Sequence, residues 1–127
     1  MGILGFLKDK KYKFKVELGD DSLCTPEYKL LEEEERFIQE FLKKCKLSGI
    51  SLRKIKFERN YIGLINIYFK GRFGRVGGFN FQKKPHIVSY KINDEPFEGG
   101  ELIEGGYDDC VKGIDYILDF INKYAAK

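Results

Sequence analysis

The run Tyr-Ile-Gly-Leu-Ile-Asn-Ile-Tyr-Phe, Tyr61 to Phe69, constrains this chain more than any other stretch. It is short, apolar at odd and even positions alike, and rich in aromatic and β-branched side chains. That length suits a strand better than a helix, and the double-sided apolarity suits a strand covered on much of both faces. Arg59-Asn60 reads as a tight connection into it. Lys70-Gly71 closes it, and Gly71 to Arg75 reads as a hairpin turn.

The rest of the chain arranges itself around that strand. From Lys11 to Leu18, Tyr12, Phe14, Val16 and Leu18 alternate with Lys11, Lys13, Lys15 and Glu17, the period of a half-buried strand over 11–18. Gly19 to Ser22 ends it. Thr25-Pro26 then fits the N-cap and first position of a helix over 26–47. Its apolar stripe is Leu30, Leu31, Phe37, Ile38, Phe41, Leu42 and Cys45. Glu32 to Glu35 lie towards its start and Lys43, Lys44 and Lys46 near its end, as the helix dipole favours. Gly49 is a fitting stop. The four glutamates read as a solvated helix face.

Strand patterns return over 51–59, with Ile55 and Phe57 opposite Lys54, Lys56 and Glu58, and continue through 61–70, 75–83 and 86–92. Gly77-Gly78 marks a bulge or a close backbone approach. Residues 93–106 hold Pro96, glycines and acids, and read as a long acidic loop with an ordered piece around Leu102-Ile103. A second helix over 107–125, capped by Asp108 or Asp109, carries Cys110, Val111, Ile114, Ile117, Leu118 and Ile121 on one stripe. Short turns between the four later strands imply an antiparallel meander. Two amphipathic helices need an apolar sheet face to cover. The expected fold is one α+β domain, a two-layer sandwich of a largely antiparallel sheet with both helices on one side.

At 127 residues the chain is long enough for a core without a disulfide or metal. No apolar run nears the roughly 20 residues of a membrane span. Met1 to Leu7 lacks the basic lead of a signal peptide, so a cytoplasmic address is the expectation. Cys24, Cys45 and Cys110 are too scattered for a ligand set, and Cys45 and Cys110 fall on the apolar stripes. No metal or cofactor is expected.

The formal net charge of +3 hides a segregated distribution. Residues 51–91 hold ten Lys or Arg against one acid, Glu58, whereas 94–109 hold seven acids and no base. If the helices cover the Phe14, Ile55, Phe57, Ile65, Ile67, Phe79 and Val88 side, the open side carries lysines and amides. Its candidate ligand residues are Lys54, Lys56, Asn66, Tyr68, Lys70, Asn80, Gln82 and Lys91, with Arg72 and Arg75 at a sheet end. That composition fits a polyanion, most naturally nucleic acid, with lysines on phosphates and Tyr68 stacking on a base. A polar open face and edge lysines against aggregation are the bland account of the same pattern.

A rival reading uses the acidic loop as an interaction or inhibitor surface for a basic protein, through Asp94, Glu95, Phe97, Glu98, Glu101 and Glu104. A homo-oligomer burying the open face is a third. Catalysis has little to build on. His86 is the single histidine and reads as an ordinary edge residue; the glycines of 71–78 match neither phosphate-loop pattern. A metal-dependent nuclease site near Asn80 and Gln82 would want an acid on the neighbouring strand, and that strand offers Asn66.

Overall fold

The structure is a computed structural model that describes residues 11–19, 28–60, 62–71, 74–93 and 100–125. The strands are β1 (Val16–Leu18), β2 (Ile55–Arg59), β3 (Ile65–Phe69), β4 (Gly74–Asn80), β5 (His86–Tyr90) and β6 (Glu101–Gly105). The helices are α1 (Glu32–Leu47), α2 (Tyr107–Cys110) and α3 (Gly113–Phe120), the last running into a π-helical turn at Ile121–Ala125. The sheet order is β1-β2-β3-β4-β5-β6, with β1 parallel to β2 and every other pair antiparallel. It is an α+β fold with an open sheet.

Strand alternation decides which face meets the helices. Ile65, Ile67 and Phe69 are buried while Asn66 and Tyr68 are half-buried. Register continues the inner rows: Arg59, Ile65, Phe79, Val88 and Ile103 are successive partners, as are Val16, Phe57, Ile67, Gly77, Tyr90 and Glu101. Phe37 of α1 packs on Phe79 and Phe81 at ring separations of 4.3 and 5.3 Å, and Phe41 on Phe57 at 6.1 Å. On α3, Ile117 lies over Gly77, and Gly113 packs on Val88. These aromatic and aliphatic contacts form the single layer of core between sheet and helices.

Several boundaries differ from the sequence reading. Residues 93–106 do not form one loop, since Glu101–Gly105 is an edge strand along β5. Its lone inward Ile103, between exposed acids, is too short a pattern to show period 2, and acids suit an exposed edge. Thr25 and Pro26 lie outside the described residues, but Tyr28–Leu31 are not helical and α1 begins at Glu32. There the Glu34 carboxylate turns back and accepts the Leu31 N–H at 2.8 Å.

The run at 61–69 divides as well. Ile62 to Leu64 form a turn, and Gly63 takes φ +90. The Asn60 Oδ1 accepts N–H groups from Ile62 and Leu64 at 3.1 and 3.0 Å, so the local side chain captures backbone that a longer strand would have paired. In the first strand only Val16–Leu18 pairs with β2, and Leu18 is 75% exposed. Upstream, the Tyr12 backbone is held by Gln39 of α1, which accepts its N–H at 2.7 Å and donates to its carbonyl at 2.8 Å. A 3₁₀ turn, Leu52–Lys54, precedes β2. Strands β4 and β5 stop at Asn80 and Tyr90 rather than at 83 and 92, and the second helix is interrupted after Cys110. No described helix is long and apolar enough to cross a membrane.

Candidate functional site

The open face is the side of the sheet away from the helices. Glu17, Glu58, Asn66, Gly78, Ser89 and Leu102 are successive partners across it. Lys56, Tyr68 and Arg75 form the neighbouring row, and Asn80, Ile87 and Glu104 a third. Among the described strand residues, Lys56 and Arg75 therefore stand against Glu17, Glu58 and Glu104. The expected lysine-rich plate is close to balanced. Lys56 is already engaged, with Nζ 3.2 Å from Glu58 and 3.3 Å from Glu17 and 5.9 Å from the Tyr68 ring centroid. Hydrogen bonds to Glu58 and Glu17 raise its pKa above the ordinary lysine value.

Arg75 is placed differently. A register irregularity between Ile67 and Tyr68 lets β4 carry an extra residue, so Arg75 falls opposite Tyr68 on the open face while Val76 enters the core. Its guanidinium lies back over Gly78, where an added Cβ would stand 2.8 Å from Nη2. Nε donates to Asn66 Oδ1 at 2.6 Å and Nη2 to Ser89 Oγ at 3.0 Å. Both acceptors are neutral. Burial lowers the Arg75 pKa from its ordinary value, with only the nearby Tyr68 opposing that shift.

A group of cations gathers at one end of the sheet. Where residues 13–15 run ahead of the β1 ladder, a cleft of about 270 Å³ opens between them, the 3₁₀ turn and the β2–β3 end. Lys13, Lys15, Arg53, Lys56 and Lys70 line it against one carboxylate, Glu17. Phe14, Leu42, Leu52, Ile55 and Phe57 form its apolar floor, with Phe14 and Phe57 edge to face at 6.2 Å. The Lys70 N–H donates to the Lys54 carbonyl at 2.8 Å, which ties the 3₁₀ turn to the end of β3 and sets this rim.

Other candidates from the sequence lie outside the cleft lining, and Asn80 and Glu104, though on the open face, stand on its third row. Asn80 is 4% exposed and closes the Ile62 turn, donating to the Ile62 carbonyl at 3.3 Å. Gln82 lies past the strand end and turns to the helix side, donating to Glu34 Oε1 at 3.0 Å and the Lys29 carbonyl at 3.1 Å. Lys54 sits in the 3₁₀ turn with Nζ 5.7 Å from the inward Phe69 ring, and Lys91 has Nζ 6.0 Å from the buried Phe120 ring. Glu101 is on an inner row at the β6 edge, while Glu104 is on the open face. Arg72, Asp94, Glu95, Phe97 and Glu98 lie outside the described residues.

A polar cluster that the sequence reading missed lies beneath the start of α1. Arg59 donates through Nη1 and Nη2 to the two oxygens of Glu34 at 2.9 and 3.0 Å, and through Nη1 to the Gly63 carbonyl at 3.1 Å. Glu34 is thus not part of a solvated face; it is 0% exposed. Neighbouring His86 is also buried rather than an edge residue: it stacks on Phe81 at 4.8 Å, with Nδ1 2.8 Å from the Lys83 carbonyl and Nε2 3.3 Å from Glu33. Every one of these groups has a local partner, which is the signature of a structural polar core.

Nucleophilic chemistry finds little support among the described residues. Burial pushes the Cys45 thiol up to about 12 and Cys110 up to about 11, so both remain protonated core groups at neutral pH. No group of three His, Cys, Asp or Glu side chains there is arranged to hold a metal ion. Comparison with protein-family models, with curated proteins and with solved structures finds no match to this chain.

Proposed function

We propose that this protein is a cytoplasmic, non-enzymatic binding module that takes a polyanion, with nucleic acid the natural candidate, at the sheet-end cleft. The observation that carries this reading is the lining of that cleft, five cationic side chains against one carboxylate over an apolar floor. Lys13, Lys15, Arg53 and Lys70 make no ion pair among the described residues, so their charge is available to phosphates. An apolar floor beside that charge suits a ligand with both phosphates and flat bases. Lysine stems can lie along the floor while their ammonium groups stay at its rim.

Titration of labelled single- and double-stranded oligonucleotides by fluorescence anisotropy, at low and moderate salt, tests the reading. Binding at low salt that weakens as salt rises is expected, because phosphate contacts release condensed counterions. Absence of binding at low salt, or binding indifferent to salt, overturns it.

A second reading, the interaction surface for a basic protein, draws on the β6 edge. Glu101 and Glu104 are exposed there beside Leu102, on a strand whose outer side has no neighbouring strand among the described residues. A basic extended segment added to that edge would gain backbone hydrogen bonds and charge pairing together.

A further inference from the structure

Among the described residues Arg75 has no counter-ion. Its two side-chain acceptors there, Asn66 Oδ1 and Ser89 Oγ, are neutral and fix the plane of the guanidinium. A guanidinium carries five N–H donors. The N–H groups of Nη1 have no acceptor among the described residues, and no buried side-chain nitrogen there lacks a partner. Those donors therefore face the open side. Gly78 makes the cradle possible, since any side chain at that position would displace the guanidinium.

The surroundings narrow what such a receptor accepts. On the Ser89 side lie Ile87, half-buried, and Leu102, 54% exposed, both on the open face. Tyr68 is its cross-strand neighbour on the other side. Glu58 stands on the adjoining row and Glu104 on the row beyond it, and Lys56 is already taken by Glu17 and Glu58. A polyanion or dianion meets net repulsion there, whereas one negative charge on an apolar body meets a fixed donor pair and apolar flanks. Planar oxyanions match the guanidinium fork, and a partly desolvated charge-assisted pair is among the stronger hydrogen-bonded contacts.

We propose that Arg75, cradled by Asn66, Gly78 and Ser89, is a receptor for a single carboxylate flanked by apolar groups, as presented by an acidic residue or chain end in an apolar peptide segment of a partner protein. This receptor is separate from the sheet-end cleft and stands or falls independently of it. A partner segment would lay its apolar side chains on Leu102 and Ile87 while its carboxylate completes the Arg75 pair.

Hexanoate is the simplest probe of that chemistry, followed by NMR on the full ¹⁵N-labelled chain with inorganic phosphate in parallel at matched ionic strength. Hexanoate is expected to move the Arg75 Nε–H and the Ser89 and Leu102 amide signals saturably, and more strongly than phosphate does. Arg75→Lys keeps the charge and loses the fork; it is expected to weaken hexanoate binding by about tenfold, as loss of a charge-assisted hydrogen bond implies. Arg75→Gln removes the charge and should weaken it at least as much, with the unaffected amide signals reporting an intact fold. No saturable shift at these signals overturns the proposal, as does equal binding by Arg75→Lys. Tighter binding of phosphate than of hexanoate overturns the assignment to carboxylate.

Discussion

Glu34 and Arg59 show how a charged residue can belong to a core. The pair is bidentate, and both residues are almost wholly buried. Gln82 and the Leu31 N–H take the remaining acceptor capacity of the carboxylate, and the Gly63 carbonyl takes another Arg59 donor. The cluster thereby pins three things at once: the start of α1, the turn at Ile62–Leu64 and the exit of β4. Removing one partner leaves an isolated buried charge. Glu34→Ala or Arg59→Leu is expected to lower the unfolding free energy in urea by about 3–5 kcal/mol. The double variant Glu34→Leu/Arg59→Leu should recover much of that loss, because two apolar side chains of similar size need no counter-charge. A double variant no more stable than the singles would place the effect in the hydrogen bonds to Gln82 and Gly63 instead. Both positions were marked in the sequence by periodicity. Glu34 shares the helical face of Phe37, Ile38 and Phe41, and Arg59 shares the strand face of Ile55 and Phe57. Each charge taken alone looks like an exception to its stripe, and only the tertiary fold shows that they cancel.

At the scale of elements, the Gly77-Gly78 pair lets layers approach on both sides of the same strand. A Cβ at Gly77 would stand 2.7 Å from the Ser89 carbonyl oxygen and 2.9 Å from Ile117 Cδ1. The first neighbour is backbone of the β4–β5 ladder and cannot yield without opening it. Gly77→Ala is therefore expected to cost about 1–3 kcal/mol in chemical denaturation, as over-packing does. Gly106→Ala is the control. Nothing lies within 4 Å of its added methyl, its φ of −88 suits any residue, and its effect should stay within about 0.5 kcal/mol. The inner faces of β2, β3, β4 and β5 and the apolar stripe of α1 were legible in sequence, because period-2 and period-3.6 patterns there are long. Strand β6 was legible only as an ordered piece around Leu102-Ile103, since one inward Ile103 between acids carries no period. The break in the 61–69 run, where a single Asn60 side chain decides the turn, was not legible. The candidate site suffered for the same reason. Alternation located Lys56, Asn66 and Tyr68 on the open face; the irregularity in β4 was signalled only by Gly77-Gly78 and by Val76 out of phase with Phe79 and Phe81, and neither said that Arg75 would turn onto that face.

For the whole molecule, the net charge of +3 matters less than its separation across the sheet. Cations of the cleft cluster at the β1–β2 end, and Glu101, Glu104, Asp108 and Asp109 lie at or beside β6. With six strands in order, the two edges are about 24 Å apart at ordinary strand spacing. Such a distribution orients an approaching polyanion towards one edge and repels it from the other, an effect that salt screens. If binding is local to the cleft, it should depend on where a charge is removed and not merely on how many remain. Lys13→Gln and Arg53→Gln each remove one phosphate contact, so each should flatten the slope of log K against log salt by about 0.7 for a single strand or 0.9 for a duplex. Lys83→Gln and Lys84→Gln change net charge by the same amount at the exposed β4–β5 turn, outside the cleft lining. They should leave the slope unchanged and alter affinity only slightly. Equal losses from both pairs would mean that a polyanion responds to the total charge of the molecule, and the cleft would then hold no site. A loss confined to Lys13 and Arg53 would instead tie affinity to the cleft, where the fold gathers cations over an apolar floor.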